Sequence, residues 1–171
     1  MRKFNCLLIS VFLLSAVYCF ADETKDRLGI KGEKILYSFR IYHSEKIISI
    51  VETARKTLEY RFGKPGAVEL VYPAVYKKDE TVFTLRWYMR PGLGGTNMGM
   101  TRLRFEFFNN GYKYRVYFDD YDEDNSQQSG IEIYNPQGKQ VADLKGYDVI
   151  GSLLVLMDDH RVNTVLMPGG E

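Results

Sequence analysis

Cysteine is scarce in this sequence and confined to its first segment. The two cysteines, Cys6 and Cys19, lie within a stretch that has two basic residues near its start and an apolar run from Leu7 to Val17. This is the layout of a cleaved secretory signal, and the small residue Ala21 marks the expected cleavage site. A chain cleaved there has no cysteine, and we therefore expect neither a disulfide nor a thiolate metal site.

The predicted secretory signal, called the leader below, determines the expected domain organisation and location. We interpret residues 1–21 as a signal peptide and residues 22–171 as a single β-rich domain, which is long enough to bury its own core. The expected location is periplasmic or secreted. Lipid attachment at Cys19 is the alternative, although Val17 and Tyr18 are bulky where lipoprotein signals usually carry small residues.

An excess of charge of either sign is also missing. The sequence has 23 Lys and Arg against 22 Asp and Glu, and loss of the leader would leave 21 against 22, a net charge of −1. Proteins that bind nucleic acid usually carry a clear basic excess, so this balance argues against a nucleic-acid partner. After removal of the leader we expect no stable membrane span.

Residues that typically carry chemistry are few. His43 and His160 are the only histidines, and neither has a Glu or His at a metal-ligand spacing. The glycine-rich stretch 90–99 is not followed by the Gly-Lys-Ser/Thr of a phosphate-binding loop. The sequence therefore predicts no catalytic residues, no metal and no cofactor, and we expect that the protein is not an enzyme.

In several stretches of the sequence, apolar and polar residues alternate with a period of two. Leu103, Phe105 and Phe107 alternate with charged residues in the stretch TRLRFEFF, and YKYRVYFDDY alternates in the same way after Asn110-Gly111. Each run is typical of a β-strand with one buried face, and Asn-Gly between them favours a tight antiparallel hairpin.

Similar runs recur along the chain and predict nine strands. They suit an all-β or mostly β fold, an antiparallel meander that closes into a small barrel or sandwich. Near the end, Val149, Ile150, Leu153, Leu154 and Met157 recur at helical spacing, and we expect one short C-terminal helix or turn packed on the sheet. Gly151 and Ser152 weaken a helix, so a last buried strand is the alternative.

Two segments at the open ends of the central hairpin are candidate binding loops. The glycine-rich link, residues 90–99, precedes the hairpin, and the acidic loop, residues 120–129, follows it. The two segments should therefore lie side by side at the open end of the hairpin, which we call the rim. A calcium loop is a poor match, because Asn125 stands where glycine is needed and Ile131 where a glutamate is needed. The candidate partner-binding residues are Arg90, Gly92, Gly94, Gly95, Asn97, Asp120, Asp122, Asp124 and Ser129.

Several segments resemble known proteins. LEYRFGKP at 58–65, the stretches 68–73 and 107–112, and Leu144-Lys145-Gly146 are similar to a group of small exported bacterial proteins with no assigned activity. That resemblance implies a compact secreted β-domain. Ser129-Gly130 with Tyr134 resembles the Ser-Gly and Tyr loops by which small periplasmic lysozyme inhibitors occupy an enzyme's cleft, which implies a protein partner.

Three functions are compatible with these features. The first is a non-catalytic binding module that inhibits or neutralises a partner protein in the cell envelope, such as a cell-wall hydrolase or an antibacterial toxin. The second is a cell-wall glycan hydrolase with Glu106 and Asp119 as a carboxylate pair. The third is a small outer-membrane β-barrel. We favour the first, because no reaction centre is visible and the strand candidates are short for a membrane barrel.

Overall fold

The described residues form ten β-strands and one turn of 3-10 helix, in a sheet whose order departs from a simple meander. It is seen in a computed structural model, which describes residues 26–77, 80–92 and 98–168. The predicted leader and the candidate residues Gly94, Gly95 and Asn97 lie outside these ranges. The elements are β1 (Lys34–Ile41), β2 (Ile47–Glu52), β3 (Leu58–Lys64), β4 (Ala67–Tyr72), β5 (Phe83–Arg90), β6 (Met100–Asn109), β7 (Tyr112–Tyr121), β8 (Ser126–Tyr134), β9 (Gln140–Gly151), the 3-10 helix (Leu153–Leu156) and β10 (Val162–Leu166).

All ten strands belong to one sheet, in the order β10-β5-β6-β7-β8-β9-β1-β2-β3-β4. Neighbours pair antiparallel except β10, which runs parallel to β5. The predicted all-β class and short C-terminal helix are confirmed. The prediction of nine strands was one short, because β10 was missed. Val149 and Ile150, expected in the helix, instead continue β9.

The central hairpin has the predicted form. Asn110 and Gly111 both have positive φ angles, 51° and 80°, which is the backbone shape of the tight turn that Asn-Gly favours. The two strands pair over their full length, from Met100 opposite Tyr121 to Asn109 opposite Tyr112. In this register Glu106 lies opposite Arg115.

The sheet curls into a half-barrel whose inner face holds the core. Tyr72 on β4 stacks on Phe107 of β6 with ring centroids 4.5 Å apart, and it also meets Phe83 of β5 at 5.7 Å. These contacts join strands from opposite ends of the strand order, which requires the curl. Leu153 and Leu156 of the 3-10 helix are fully buried in the same core.

The outer face of β1 to β3 is covered by the residues that precede β1. Arg27 and Leu28 are buried, and the hydroxyl of Ser49 on β2 donates to the backbone carbonyl of Arg27. Arg61 on β3 donates to the backbone carbonyl of Leu28 at 2.8 Å. This cover explains why β2 is buried on both faces. The outer face of β5 to β9 is built from charged and aromatic side chains.

Candidate functional site

The glycine-rich link and the acidic loop meet beside the open end of the central hairpin, as the sequence predicted. The backbone N–H of Asp122 donates to the carbonyl of Gly99 at 3.1 Å. A Cβ at Gly99 would meet the exposed Asp122 carboxylate, which would have to turn away to make room. The Arg90 guanidinium donates to the backbone carbonyl of Met98 at 2.9 and 3.1 Å. Gly92 is exposed beside this contact.

The predicted acidic residues of this rim have separate surroundings. Asp124 accepts a hydrogen bond from the backbone N–H of Ser126 at 3.1 Å, which is a local turn contact. Asp120 lies within β7, opposite Thr101 and Gln127. Across the described ranges, no group of three or more His, Cys, Asp or Glu side chains is placed to hold a metal ion.

Ser129 is not part of the rim, which corrects the sequence-based assignment. It lies in β8 and is 4% exposed, and its hydroxyl accepts a hydrogen bond from Tyr37 at 2.7 Å. The acidic loop is shorter than expected, because β8 already begins at Ser126 and carries Ser129 to the inner face of the sheet. A side chain buried in this way cannot contact a protein partner.

A second candidate site lies on the outer face of the central hairpin, and we call it the arginine cleft. It is a depression of about 260 Å³. It is lined by Arg86, Arg104, Glu106, Lys113, Arg115 and Met167. The regular register of β5, β6 and β7 brings these side chains together, since every second residue of each strand faces outward.

Two of the arginines are held in short ion pairs. Arg104 donates two hydrogen bonds to the Asp119 carboxylate, at 2.6 and 3.0 Å. Arg115 donates to Glu106 at 2.6 Å. Burial lowers the pKa of Arg115, but the hydrogen bond to Glu106 and the surrounding negative charges together more than offset this effect, so the pKa of Arg115 is raised. The ion pairs hold both guanidinium groups in fixed positions.

Tyrosine rings pack against these cations. The Arg115 guanidinium lies 5.1 Å and the Lys113 ammonium 4.8 Å from the centre of the Tyr134 ring. The Tyr134 hydroxyl donates to Glu132 at 2.7 Å, and burial raises the pKa of Tyr134. Arg104 lies 5.6 Å from the centre of the Tyr117 ring. Cation–π contacts of this kind restrict the long side chains to a few positions.

Arg86 is the exception in this network. Its backbone lies directly opposite Arg104, with which it shares the cleft. In the part of the chain that the structure describes, the Arg86 guanidinium has no ion pair or hydrogen bond. Like charges on directly opposed residues destabilise a sheet. The cleft thus holds four basic side chains and only one acidic side chain in its lining.

The carboxylate pair proposed for glycan hydrolysis has no support in this geometry. Arg115 is the partner of Glu106 in the register, and Asp119 lies four residues further along β7, which is about 13 Å at ~3.3 Å per residue. Glycosidase carboxylates lie roughly 5–9.5 Å apart. Each carboxylate is also engaged by an arginine, Glu106 by Arg115 and Asp119 by Arg104.

The membrane-barrel alternative has no support either. Phe105 and Leu103 belong to the buried core, whereas Arg104 and Glu106 lie on the outer face. A barrel that spans a membrane needs the reverse, an apolar outer face and a polar interior.

No helix within the described ranges has the length and apolar character of a membrane span.

The sequence did not identify the cleft as a site. The alternation predicted that the charged residues of the central hairpin, among them Arg104, Glu106 and Arg115, share the face opposite its apolar residues. The pairing of β5 with β6 was not predicted. A two-residue turn fixes the register of β6 against β7, but no such turn joins β5 to β6. Arg86 could therefore not be placed.

Comparison with known proteins adds no assignment. No family model, no curated protein and no solved structure matches this chain.

Proposed function

We propose that this chain is a non-catalytic binding module, periplasmic or secreted, that inhibits or neutralises a partner protein through the arginine cleft. A cell-wall hydrolase or an antibacterial toxin is the kind of partner we expect. The observation that carries the proposal is Arg86, a half-buried guanidinium that makes no ion pair or hydrogen bond among the described residues and lies opposite Arg104.

The cleft has the properties of a protein-binding hot spot. Arginine and tyrosine are enriched among the residues that dominate binding energy. Here Arg104 and Arg115 are already ordered by their ion pairs, so binding costs little side-chain entropy at these two positions. Because the Arg86 guanidinium makes no hydrogen bond among the described residues, its donors are available to a carboxylate that a partner supplies.

The partner should therefore present an acidic side chain that enters the cleft. Catalytic carboxylates of cell-wall hydrolases are groups of this kind. An arginine that pairs with such a carboxylate would block it directly, which is a simple route to inhibition. The location of the protein is a separate part of the proposal and rests on the leader in the sequence alone.

The test is capture of envelope proteins on the mature domain, followed by affinity measurement with each purified partner. Arg86→Ala should weaken binding by at least tenfold, since loss of a hot-spot residue costs about 2 kcal/mol or more. Arg55→Ala is the matched control, because Arg55 is an exposed arginine away from the cleft. Its binding should equal that of the unmodified protein.

A third variant separates the two candidate sites. Arg90→Ala alters the rim and leaves the cleft intact, so it should bind as the unmodified protein does. A partner that is lost with Arg90→Ala and retained with Arg86→Ala would place binding at the rim and refute the cleft. A domain that binds no envelope protein at all would refute the function.

A further inference from the structure

The inner face of the half-barrel contains an apolar pocket that the core does not fill. It has a volume of about 280 Å³ and lies between the β3–β4 wall and the β7–β9 wall. Its main lining residues are Tyr60, Phe62, Leu70, Tyr114, Ile133 and Leu144. Five of these six side chains are only half-buried although they face the core, so the pocket opens to solvent.

One wall carries a polar group with no protein partner. Tyr60 is 1% exposed, and in the described part of the chain its hydroxyl makes no hydrogen bond. Its ring is fixed by Phe107, with centroids 4.8 Å apart. Burial raises the pKa of Tyr60, so the hydroxyl is protonated at neutral pH and can donate or accept one hydrogen bond. The Tyr60 hydroxyl oxygen is not one of the fully enclosed unpartnered atoms of the described residues, so it is open to a group that enters the pocket.

The edge of the pocket is electrically balanced. Glu69 belongs to the lining and forms an ion pair with Lys46. The Lys46 ammonium also lies 5.0 Å from the centre of the Phe62 ring. Because this cation and anion neutralise each other, neither attracts a charged ligand without first leaving its partner. The pocket thus favours an uncharged ligand.

We propose that this pocket binds a small uncharged amphiphile, an alkyl or aromatic group that ends in a hydroxyl or carbonyl. The apolar part lies against Phe62, Ile133 and Leu144, and the polar end forms a hydrogen bond with the Tyr60 hydroxyl. At roughly 30 Å³ per water-sized group the volume holds about nine non-hydrogen atoms. This site lies on the inner face of the sheet and does not depend on the arginine cleft.

Calorimetric titration with three probes of equal chain length tests the proposal. The probes are 1-octanol, octanoate and octylammonium. We expect 1-octanol to bind at least tenfold more tightly than either ion. Tyr60→Phe should weaken 1-octanol binding by roughly two- to tenfold, the effect of one lost hydrogen bond. Tyr147→Phe, which removes a hydroxyl from an exposed ring outside the pocket, should leave it unchanged.

A pocket-filling variant provides a second measurement. Ile133→Trp should abolish 1-octanol binding; if this variant does not fold, the comparison of Tyr60→Phe with Tyr147→Phe decides alone. The proposal is overturned if 1-octanol fails to bind up to its solubility limit or if octanoate binds equally well. Equal affinity of Tyr60→Phe and the unmodified protein also overturns it.

Discussion

Two glycines in neighbouring strands leave space for aromatic rings on opposite faces of the sheet. Gly146 on β9 lies under Phe39 on the inner face, and Gly130 on β8 lies under Tyr117 on the outer face. A Cβ at Gly146 would lie 2.8 Å from Cγ of Phe39, and one at Gly130 would lie 2.6 Å from the backbone carbonyl oxygen of Leu144. The rings replace the side chains that these positions lack, so the sheet stays packed.

Gly146→Ala should destabilise the protein by about 1–3 kcal/mol, the usual cost of overpacking a core. The reason is that Phe39 is fully buried and cannot turn away from the added methyl group. Urea-induced unfolding measures the change. In a Phe39→Leu background the same substitution should cost less than half as much, because the smaller side chain leaves space. Equal costs in both backgrounds would mean that Phe39 is not the obstacle.

At the scale of elements, a buried ion pair is one of the contacts that hold the segment before β1 on the sheet. Arg61 donates to the Glu33 carboxylate at 2.6 and 2.9 Å, and the two side chains are 9% and 4% exposed. Burial raises the pKa of Glu33, but hydrogen bonds from Arg61 and from the Ile30 backbone more than offset this, so the pKa of Glu33 is lowered. The charged form is therefore the one that stabilises the fold.

This pair should make stability depend on pH in the acid range. The stabilisation is complete above the pKa of about 4.3 that Glu33 has in the unfolded chain, and it is lost as pH falls below it. Glu33→Gln should lower the free energy of unfolding by about 1–3 kcal/mol at pH 7 and flatten its decline between about pH 5 and 3. Chemical denaturation at several pH values measures both effects.

Glu123→Gln is the control for this experiment, because Glu123 is exposed in the acidic loop. Its stability should follow that of the unmodified protein at every pH. If Glu33→Gln also follows it, the segment before β1 is not held by the ion pair.

Some strands could be predicted from the sequence and others could not. The hairpin of β6 and β7 was predictable because Asn110-Gly111 determines both the turn and the register. β10 was missed because a parallel edge strand has no turn signal, and its five residues alternate only weakly. Pairing across β5 and β6 brings the cationic side chains of the arginine cleft together, and a nearly balanced total charge gave no sign of that local excess.

At the scale of the whole molecule, the two edge strands of the curled sheet need contacts that keep them in place. β4 and β10 are the terminal strands, and they do not pair with each other. The chain crosses the core from β9 to β10 through the 3-10 helix, whose Leu153 and Leu156 are fully buried. β10 then depends on its parallel pairing with β5 and on contacts at its beginning.

Arg161 makes those contacts just before β10 begins. Its guanidinium donates to the backbone carbonyl of Lys56 at 2.8 Å and pairs with Glu52 at 2.9 Å and with Asp159 at 2.5 Å. It thus ties the last crossing of the chain to the turn between β2 and β3. The hydrogen bond to Asp159 and the pairing with Glu52 raise the pKa of Arg161, so the tie persists at any pH in the physiological range.

Arg161→Met should lower the free energy of unfolding by about 2–4 kcal/mol, because it leaves the largely buried Asp159 carboxylate without its counter-charge and removes the less exposed of the two cations that pair with Glu52. The measurement is urea-induced unfolding together with amide exchange, in which the β10 amides should lose protection before those of β6 and β7. Lys56→Met is the control: it removes an exposed cation that also pairs with Glu52, and should change stability by less than about 0.5 kcal/mol. If Arg161→Met costs no more than Lys56→Met, parallel pairing with β5 alone holds the last strand, and the curl of the sheet does not depend on this tie.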